Sequence, residues 1–163
     1  MITKEQFDAM LIERHGREVF DKLAKAYVGI AGLGGLGSNI AMMLARSGVG
    51  RLLLIDFDIV EPSNLNRQHY MVSHLGIAKS EAIKDLIYQA NPYIRLDTKR
   101  LKITEENAPE LFKDCDLVCE AFDRPEAKAE LVNSLLENCP GLPILSGSGM
   151  AGYGSSNTIR TKK

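Results

Sequence analysis

The chain has 163 residues, 45% of them apolar, with 20 basic and 21 acidic side chains and a net charge of −1. Such a length reads as one domain with enough apolar material for a packed core, which excludes an intrinsically disordered chain. The balanced charge excludes a strongly basic face, so nucleic acid is not an expected partner. The basic cluster Arg160, Lys162 and Lys163 reads as a solvated tail. No apolar run approaches the ~20 residues of a membrane span, and no signal peptide opens the chain. A cytoplasmic protein with no membrane partner is expected. The three cysteines, Cys115, Cys119 and Cys139, form no CxxC pair, which fits a reducing compartment better than a disulfide framework. Cys115 and Cys119 fall at a predicted strand and are expected in the core.

In chain order, Thr3 and Gln6 have the spacing of a capping box, and Phe7, Met10, Leu11 and Arg14 follow at helical intervals until Gly16. A second short helix is predicted over Glu18–Ala24. Strand one is predicted at Tyr27–Ala31, a glycine loop at Gly32–Gly37 and a helix at Ser38–Ser47. Strand two, Arg51–Asp56, contains the continuous apolar run Leu52–Ile55, as expected where both faces of a sheet are covered. A polar stretch without clear periodicity runs from Phe57 to Gly76. A helix over Ile77–Ala90 ends at Asn91-Pro92. Strand three, Ile94–Ile103, alternates and is more polar, which suits an edge. Thr104 caps a short helix reaching Phe112. Strand four is Leu117–Ala121, and Pro125 opens a helix running to about Asn138. Strand five is Pro143–Leu145, then a glycine- and serine-rich loop runs to Ser156 and a sixth strand is expected from Asn157. Strand–helix alternation with apolar strands predicts a Rossmann-like, doubly wound α/β fold, mainly parallel, with helices on both faces and a helical N-terminal segment. The expected order is 3-2-1-4-5, with a ligand crevice between strands one and four.

Gly32-Leu33-Gly34-Gly35-Leu36-Gly37 fits GxGxxG between a strand and a helix. The first glycine permits the turn, the second lets backbone approach phosphate, and the third allows close helix packing. Asp56, 19 residues after Gly37, ends strand two, where a carboxylate can accept both hydroxyls of a ribose. Nucleotide binding is the expectation from these groups.

The stretch Asp56 to Gln68 leaves the ligand side of strand two. Asn64 and Arg67, three apart, share a face on a helical turn. Lys79 starts the next helix, where a positive charge opposes the helix dipole; with no structural benefit in view, an anionic ligand is expected. Asp123 follows strand four across the crevice. A carboxylate there would repel phosphates unless a cation lay between, and Mg²⁺ held by one or two carboxylates plus phosphates is the common solution. Asp123 with Glu126 also has capping-box spacing, and the two roles can coexist. One arginine, one lysine and one metal make a triphosphate site rather than a dinucleotide site.

The blocks Gly32-Leu-Gly-Gly-Leu-Gly-Ser38, Ala45-Arg-Ser-Gly-Val-Gly50, Leu54-Ile-Asp-Phe-Asp58, Ser63-Asn-Leu-Asn-Arg-Gln68, Gly76-Ile-Ala-Lys79, Asn91-Pro92 and Phe122-Asp123 together resemble the ThiF/MoeB family of adenylyltransferases, relatives of the ubiquitin-activating enzymes, and in particular its short ThiF-type, thiamine-pathway members. The resemblance covers roughly residues 26 to 150. It implies that Asp56 holds the ribose, that Gly34 lies against the phosphates, that Asn64, Arg67 and Lys79 contact the triphosphate, and that Asp123 binds Mg²⁺. It also implies adenylation of the C-terminal glycine of a small ubiquitin-like sulfur carrier ending in Gly-Gly, and a homodimer in which Arg14, or Arg17 behind it, reaches the partner's ATP.

The candidate nucleotide-binding set is therefore Gly32, Gly34, Gly35, Gly37, Asp56, Asp58, Asn64, Arg67, Gln68 and Lys79. The candidate catalytic set is Arg67, Lys79, Asp123 and Arg14. The cofactors expected are ATP and Mg²⁺. Zinc is not, because the two CxxC pairs that hold it in family members are missing. The end of the chain at the start of a sixth strand suggests a short-form or truncated relative. Alternatives are a relative that activates a carboxylate on modified tRNA, with which Pro125, Lys128 and Ala129 after Phe122-Asp123 are compatible, a nicotinamide-dependent oxidoreductase, or a module that binds ATP without turning it over.

Overall fold

The computed structural model describes residues 2–147. The elements are α1 (Lys4–His15), α2 (Arg17–Lys25), β1 (Tyr27–Ala31), α3 (Gly35–Arg46), β2 (Arg51–Ile55), α4 (Lys79–Ala90), β3 (Arg95–Lys99), α5 (Ala108–Phe112), β4 (Leu117–Glu120), α6 (Pro125–Asn138) and β5 (Ile144–Ser146). All four strand pairings are parallel, in the order β3-β2-β1-β4-β5. The predicted Rossmann-like order is thus observed. The sixth strand expected from Asn157, and most of the loop before it, lie outside the described residues.

The apolar run in β2 is explained by the two cores it feeds. Leu52 and Leu54 pack with Val28, Ile30, Ala41, Met42, Ile83 and Ile87, the layer of α3 and α4. Leu53 and Ile55 point the other way, to Phe112, Val118, Leu131 and Leu135 beneath α5 and α6. Period-two alternation between two covered faces makes every position apolar. Cys119 joins the first core and Cys115 the second, as expected.

The N-terminal capping box forms as predicted: Gln6 Oε1 accepts from Thr3 N–H at 2.9 Å, and Thr3 Oγ1 accepts from Gln6 N–H at 3.3 Å. Phe7 and Leu11 pack with Phe20, while Met10, placed on the same face by the spacing, stays exposed. Several boundaries move. α3 starts at Gly35, three residues before the predicted Ser38, because the glycines form the helix's first turn. α4 starts at Lys79 rather than Ile77. β3 ends at Lys99 instead of Ile103, since the chain turns away there and Asn107 ties it down by accepting from Thr104 N–H and donating to the Lys102 carbonyl. The polar stretch 57–76 holds two 3-10 turns, Pro62–Asn64 and Val72–His74, and buries Val60, Tyr70 and His74. Among the described residues no helix is long and apolar enough to cross a membrane.

Burial, with the neighbouring Asp114 and Asp116 carboxylates, pushes the Cys115 thiol up to about 12 from its ordinary 9.0. Unfolded, this thiol ionises near 9; folded, it holds its proton until about 12. Its contribution to stability is complete below about pH 9 and is lost as pH rises through that window. Tyr27 acts in the same sense, raised from 10.0 to about 12 by burial and then by Asp97. The thermal midpoint, followed by circular dichroism, is therefore expected to fall steadily above about pH 9. Cys115→Ala should flatten the first part of that decline; an unchanged slope would contradict the assignment.

Candidate nucleotide site

The C-terminal ends of β1, β2 and β4 open onto a crevice of about 480 Å³. It is lined by Gly32, Gly34, Gly35, Asp56, Asp58, Asn64, Arg67, Gln68, Lys79 and Asp123. All the predicted nucleotide-binding residues except Gly37 line it directly. Gly37 stands just behind: a Cβ there would lie 1.9 Å from the Gly32 carbonyl oxygen. Only a glycine lets α3 start so close to the turn. Gly32 itself has φ +89°, a backbone that favours glycine.

This geometry aims the α3 N-terminus at the crevice. The first bond of the helix runs from Ser38 N–H to the Gly34 carbonyl at 3.0 Å, so the amides of Gly35, Leu36 and Gly37 are those a helix leaves without internal acceptors. Gly34, the N-cap, offers no side chain to occupy them. Free amides and the partial positive charge of a helix end favour phosphate.

Asp56 is 8% exposed. Its Oδ2 accepts from Leu33 N–H at 2.6 Å and its Oδ1 from Asp58 N–H at 2.8 Å. The carboxylate therefore shapes the glycine turn as well as facing the crevice, and each oxygen retains a lone pair for a ribose hydroxyl. Tyr70 braces the same turn by donating to the Leu33 carbonyl at 2.8 Å, and burial raises its phenol far above the ordinary value.

Lys79 requires a correction. From the sequence it had no structural benefit, but it is buried and its Nζ pairs with Asp58 Oδ2 at 2.9 Å. The pair offsets the lysine's unfavourable position at a positive helix end. Asn64 and Arg67 do face the same crevice: the 3-10 turn continues, with Arg67 and Gln68 N–H both bonded to the Asn64 carbonyl. The Arg67 stem lies along the glycine loop, its Cγ 3.5 Å from where a Gly35 Cβ would sit, and its guanidinium donates to the Ser63 carbonyl at 3.0 Å. Gln68 is nine-tenths buried, yet its Oε1 has no hydrogen-bond partner among the described residues. A buried orphan acceptor costs free energy unless something donates to it, and a nucleoside supplies hydroxyl and amino donors.

Asp123 is exposed at the opposite wall. The N-cap of α6 is Arg124 and makes no side-chain cap, so the capping-box alternative for Asp123 with Glu126 does not form. Among the described residues no three His, Cys, Asp or Glu side chains gather into a metal cluster. One open carboxylate facing a phosphate cradle still fits Mg²⁺, which commonly takes one or two carboxylates and fills its shell with phosphate oxygens and water.

Arg14 is not brought to this crevice. It sits exposed in the last turn of α1, whose helix lines a separate hollow of about 580 Å³ at the N-terminal ends of the strands. Arg17 pairs with Asp21 at 3.7 Å. Sequence reasoning missed Lys102, Ile103, Phe122 and Arg124 in the crevice wall. Lys102 and Ile103 were hidden by the overlong third strand. It also missed Glu120, a charge within an otherwise apolar strand; that charge was a signal, because a buried carboxylate needs partners.

Fold and crevice together define a doubly wound, all-parallel α/β domain with a ligand crevice at the C-terminal ends of its strands. Residues 7–163 match the ThiF family, and the chain belongs to that family. It is 36% identical over 134 residues to the adenylyltransferase and sulfurtransferase UBA4 of Eremothecium gossypii, covering 82% of this chain and 30% of the relative. It is 36% identical over 129 residues to the molybdopterin-synthase adenylyltransferase of Haemophilus influenzae, covering 78% and 52%. The chain thus spans about a third to a half of these relatives' length. The structure of E. coli tRNA N6-threonylcarbamoyladenosine dehydratase, TcdA, in complex with ATP superposes with a TM-score of 0.85 at 29% identity, over 98% of this chain and 67% of that one.

The close contact at Gly37 is directly testable. Gly37→Ala is expected to cost about 1–3 kcal/mol or more through overpacking and to abolish binding of a fluorescent ATP analogue. Gly35→Ala, whose Cβ meets only ordinary contacts, should keep its stability in denaturant titration. Equal stability of the two variants would contradict the close-packed turn.

Proposed function

We propose that this domain activates a carboxylate by ATP-dependent adenylation, and that its substrate is the C-terminal glycine of a small ubiquitin-like sulfur carrier. The observation that carries the reading is the single crevice that combines free α3 amides, Arg67, Lys79 and, on the facing wall, Asp123. Such a set suits a chain of three phosphates. Membership in a family whose members include adenylyltransferases supports the chemistry.

In this reading a carboxylate oxygen attacks the α-phosphorus, the bond from that phosphorus to the bridging oxygen breaks, and pyrophosphate leaves with the electron pair. An acyl-adenylate remains. The α3 amides hold the phosphates in line, while Arg67 and Lys79 offset charge growing on the phosphoryl oxygens and the leaving group. Lys79 trades its bond to Asp58 for one to phosphate, and Gln68 Oε1 takes its missing donor from the nucleoside. Asp123 is the residue that would hold Mg²⁺ here, and the ion would supply further charge neutralisation. Arg14, exposed and without an ion pair among the described residues, would reach the phosphates of a second copy in a homodimer. Thiamine thiazole or a related sulfur-transfer pathway is the context that fits such a carrier, and the cytoplasm its place.

The likeness to TcdA over nearly the whole chain favours one second reading, in which the same chemistry activates a carboxylate on modified tRNA. The near-neutral charge favours the carrier.

Exchange of labelled pyrophosphate into ATP, dependent on a carrier ending in Gly-Gly, is the expected result. Arg67→Ala should lower it by ~10²–10³. ATP binding without exchange on any such carrier, or exchange only with tRNA, would contradict the carrier assignment.

A further inference from the structure

β4 ends in a carboxylate that has no place in an apolar strand. Glu120 is 1% exposed, and burying a lone charge is strongly unfavourable unless it is paired and fully hydrogen-bonded. It is both. Its Oε2 accepts from Lys128 Nζ at 2.5 Å and from Ser146 Oγ at 2.6 Å, and its Oε1 accepts from Phe122 N–H at 2.6 Å. Lys128 Nζ also donates to the Phe122 carbonyl at 3.2 Å. The two partners of one ion pair therefore grip the Phe122 residue from both ends, its N–H through the glutamate and its C=O through the lysine. Ser146 brings β5 into the same network.

Asp123 is the next residue in the chain after Phe122. Among the described residues the Asp123 carboxylate makes no hydrogen bond or ion pair, and α6 begins without a side-chain cap. No described residue holds the carboxylate itself, so the backbone on either side sets where its Cα–Cβ bond points: Phe122 before it, and Arg124, the N-cap of α6, after it. The Phe122 ring in turn abuts the glycine turn, its Cδ1 2.9 Å from where a Gly32 Cβ would lie. A buried ion pair contributes little net stability compared with apolar packing of the same volume, so its presence here calls for a geometric explanation.

We infer that Glu120 and Lys128 are positioning residues that clamp Phe122 so that the Asp123 carboxylate faces the metal–phosphate position of the crevice. The inference rests on reading that crevice as a Mg²⁺–ATP site. The clamp touches neither nucleotide nor metal: it holds the Phe122 backbone, and its Mg²⁺-dependent effect passes through Asp123.

The test is titration of the chain with a fluorescent ATP analogue, with and without Mg²⁺, alongside thermal unfolding. Asp123→Asn should remove most of the gain in affinity that Mg²⁺ brings. The charge-free pair Glu120→Gln/Lys128→Met should bind the metal-free analogue normally but lose ~10-fold of the Mg²⁺-dependent gain, the size typical of groups that orient a metal ligand. Added to Asp123→Asn, the pair should cost nothing further, because residues acting through one group are not additive. A merely structural pair would weaken binding with and without Mg²⁺ alike. If the pair keeps the full Mg²⁺ gain while Asp123→Asn loses it, the clamp is wrong and the nucleotide reading stands. If Asp123→Asn keeps the gain, the metal reading fails and the clamp with it. Should the pair variant not fold, Ser146→Ala decides: a loss of about 2- to 3-fold in the Mg²⁺ gain is expected from removing one orienting bond, and an unchanged gain would overturn the inference.

Discussion

The site depends on the closeness of Gly37 to the Gly32 carbonyl. With no side chain at either position, α3 starts within a backbone's width of the end of β1. The unbonded amides of its first turn are thereby delivered to the mouth of the sheet, along with the positive end of the helix dipole. Other features secure this approach. Asp56 accepts from Leu33 N–H, Tyr70 donates to the Leu33 carbonyl, and the ring of Phe122 closes over Gly32. Each comes from a different strand end or loop, so long-range contacts hold the turn in addition to the local bonds from Ser38 to the Gly34 carbonyl.

Charge around the turn is held in reserve. Lys79 is buried at the start of α4 with Asp58 as its protein partner, and Asp58 is half-exposed on the crevice wall. An exposed carboxylate keeps most of its hydration, so exchanging it for a phosphate oxygen is a smaller change than stripping the partner from a fully buried pair. Gln68 presents a complementary need, a buried acceptor without a donor among the described residues. Opposite requirements, for anion at Lys79 and for donor at Gln68, are both met by a nucleotide.

Much of this was legible in the sequence because it is local. GxGxxG before a helix, an aspartate at the end of β2 and apolar strands alternating with helices follow from backbone geometry and two-sided burial. The strand order, the crevice and nine of the ten nucleotide-set residues in its wall are then consequences of that local pattern. What escaped is what depends on side chains meeting across the sheet. The Lys79–Asp58 pair spans 21 residues, and the Glu120–Lys128 pair joins a strand to the helix after it. Neither is visible as a spacing within one element. Leu101 and Ile103 continue the apolar alternation of the third strand in the sequence, but the strand ends at Lys99 and both residues line the crevice wall. Residues 57–76 show only a polar stretch without clear periodicity in the sequence, yet Val60, Tyr70 and His74 anchor it in the core.

The proposed function requires the crevice to take a nucleoside triphosphate against the α3 amides. A crystal structure with a non-hydrolysable ATP analogue and Mg²⁺ tests it most directly. The expected complex has phosphate oxygens within hydrogen-bonding distance of the Gly35–Gly37 amides, Lys79 Nζ moved from Asp58 onto phosphate, and Gln68 Oε1 accepting from the nucleoside. Phosphates bound away from α3, with the Lys79–Asp58 pair intact, would contradict it.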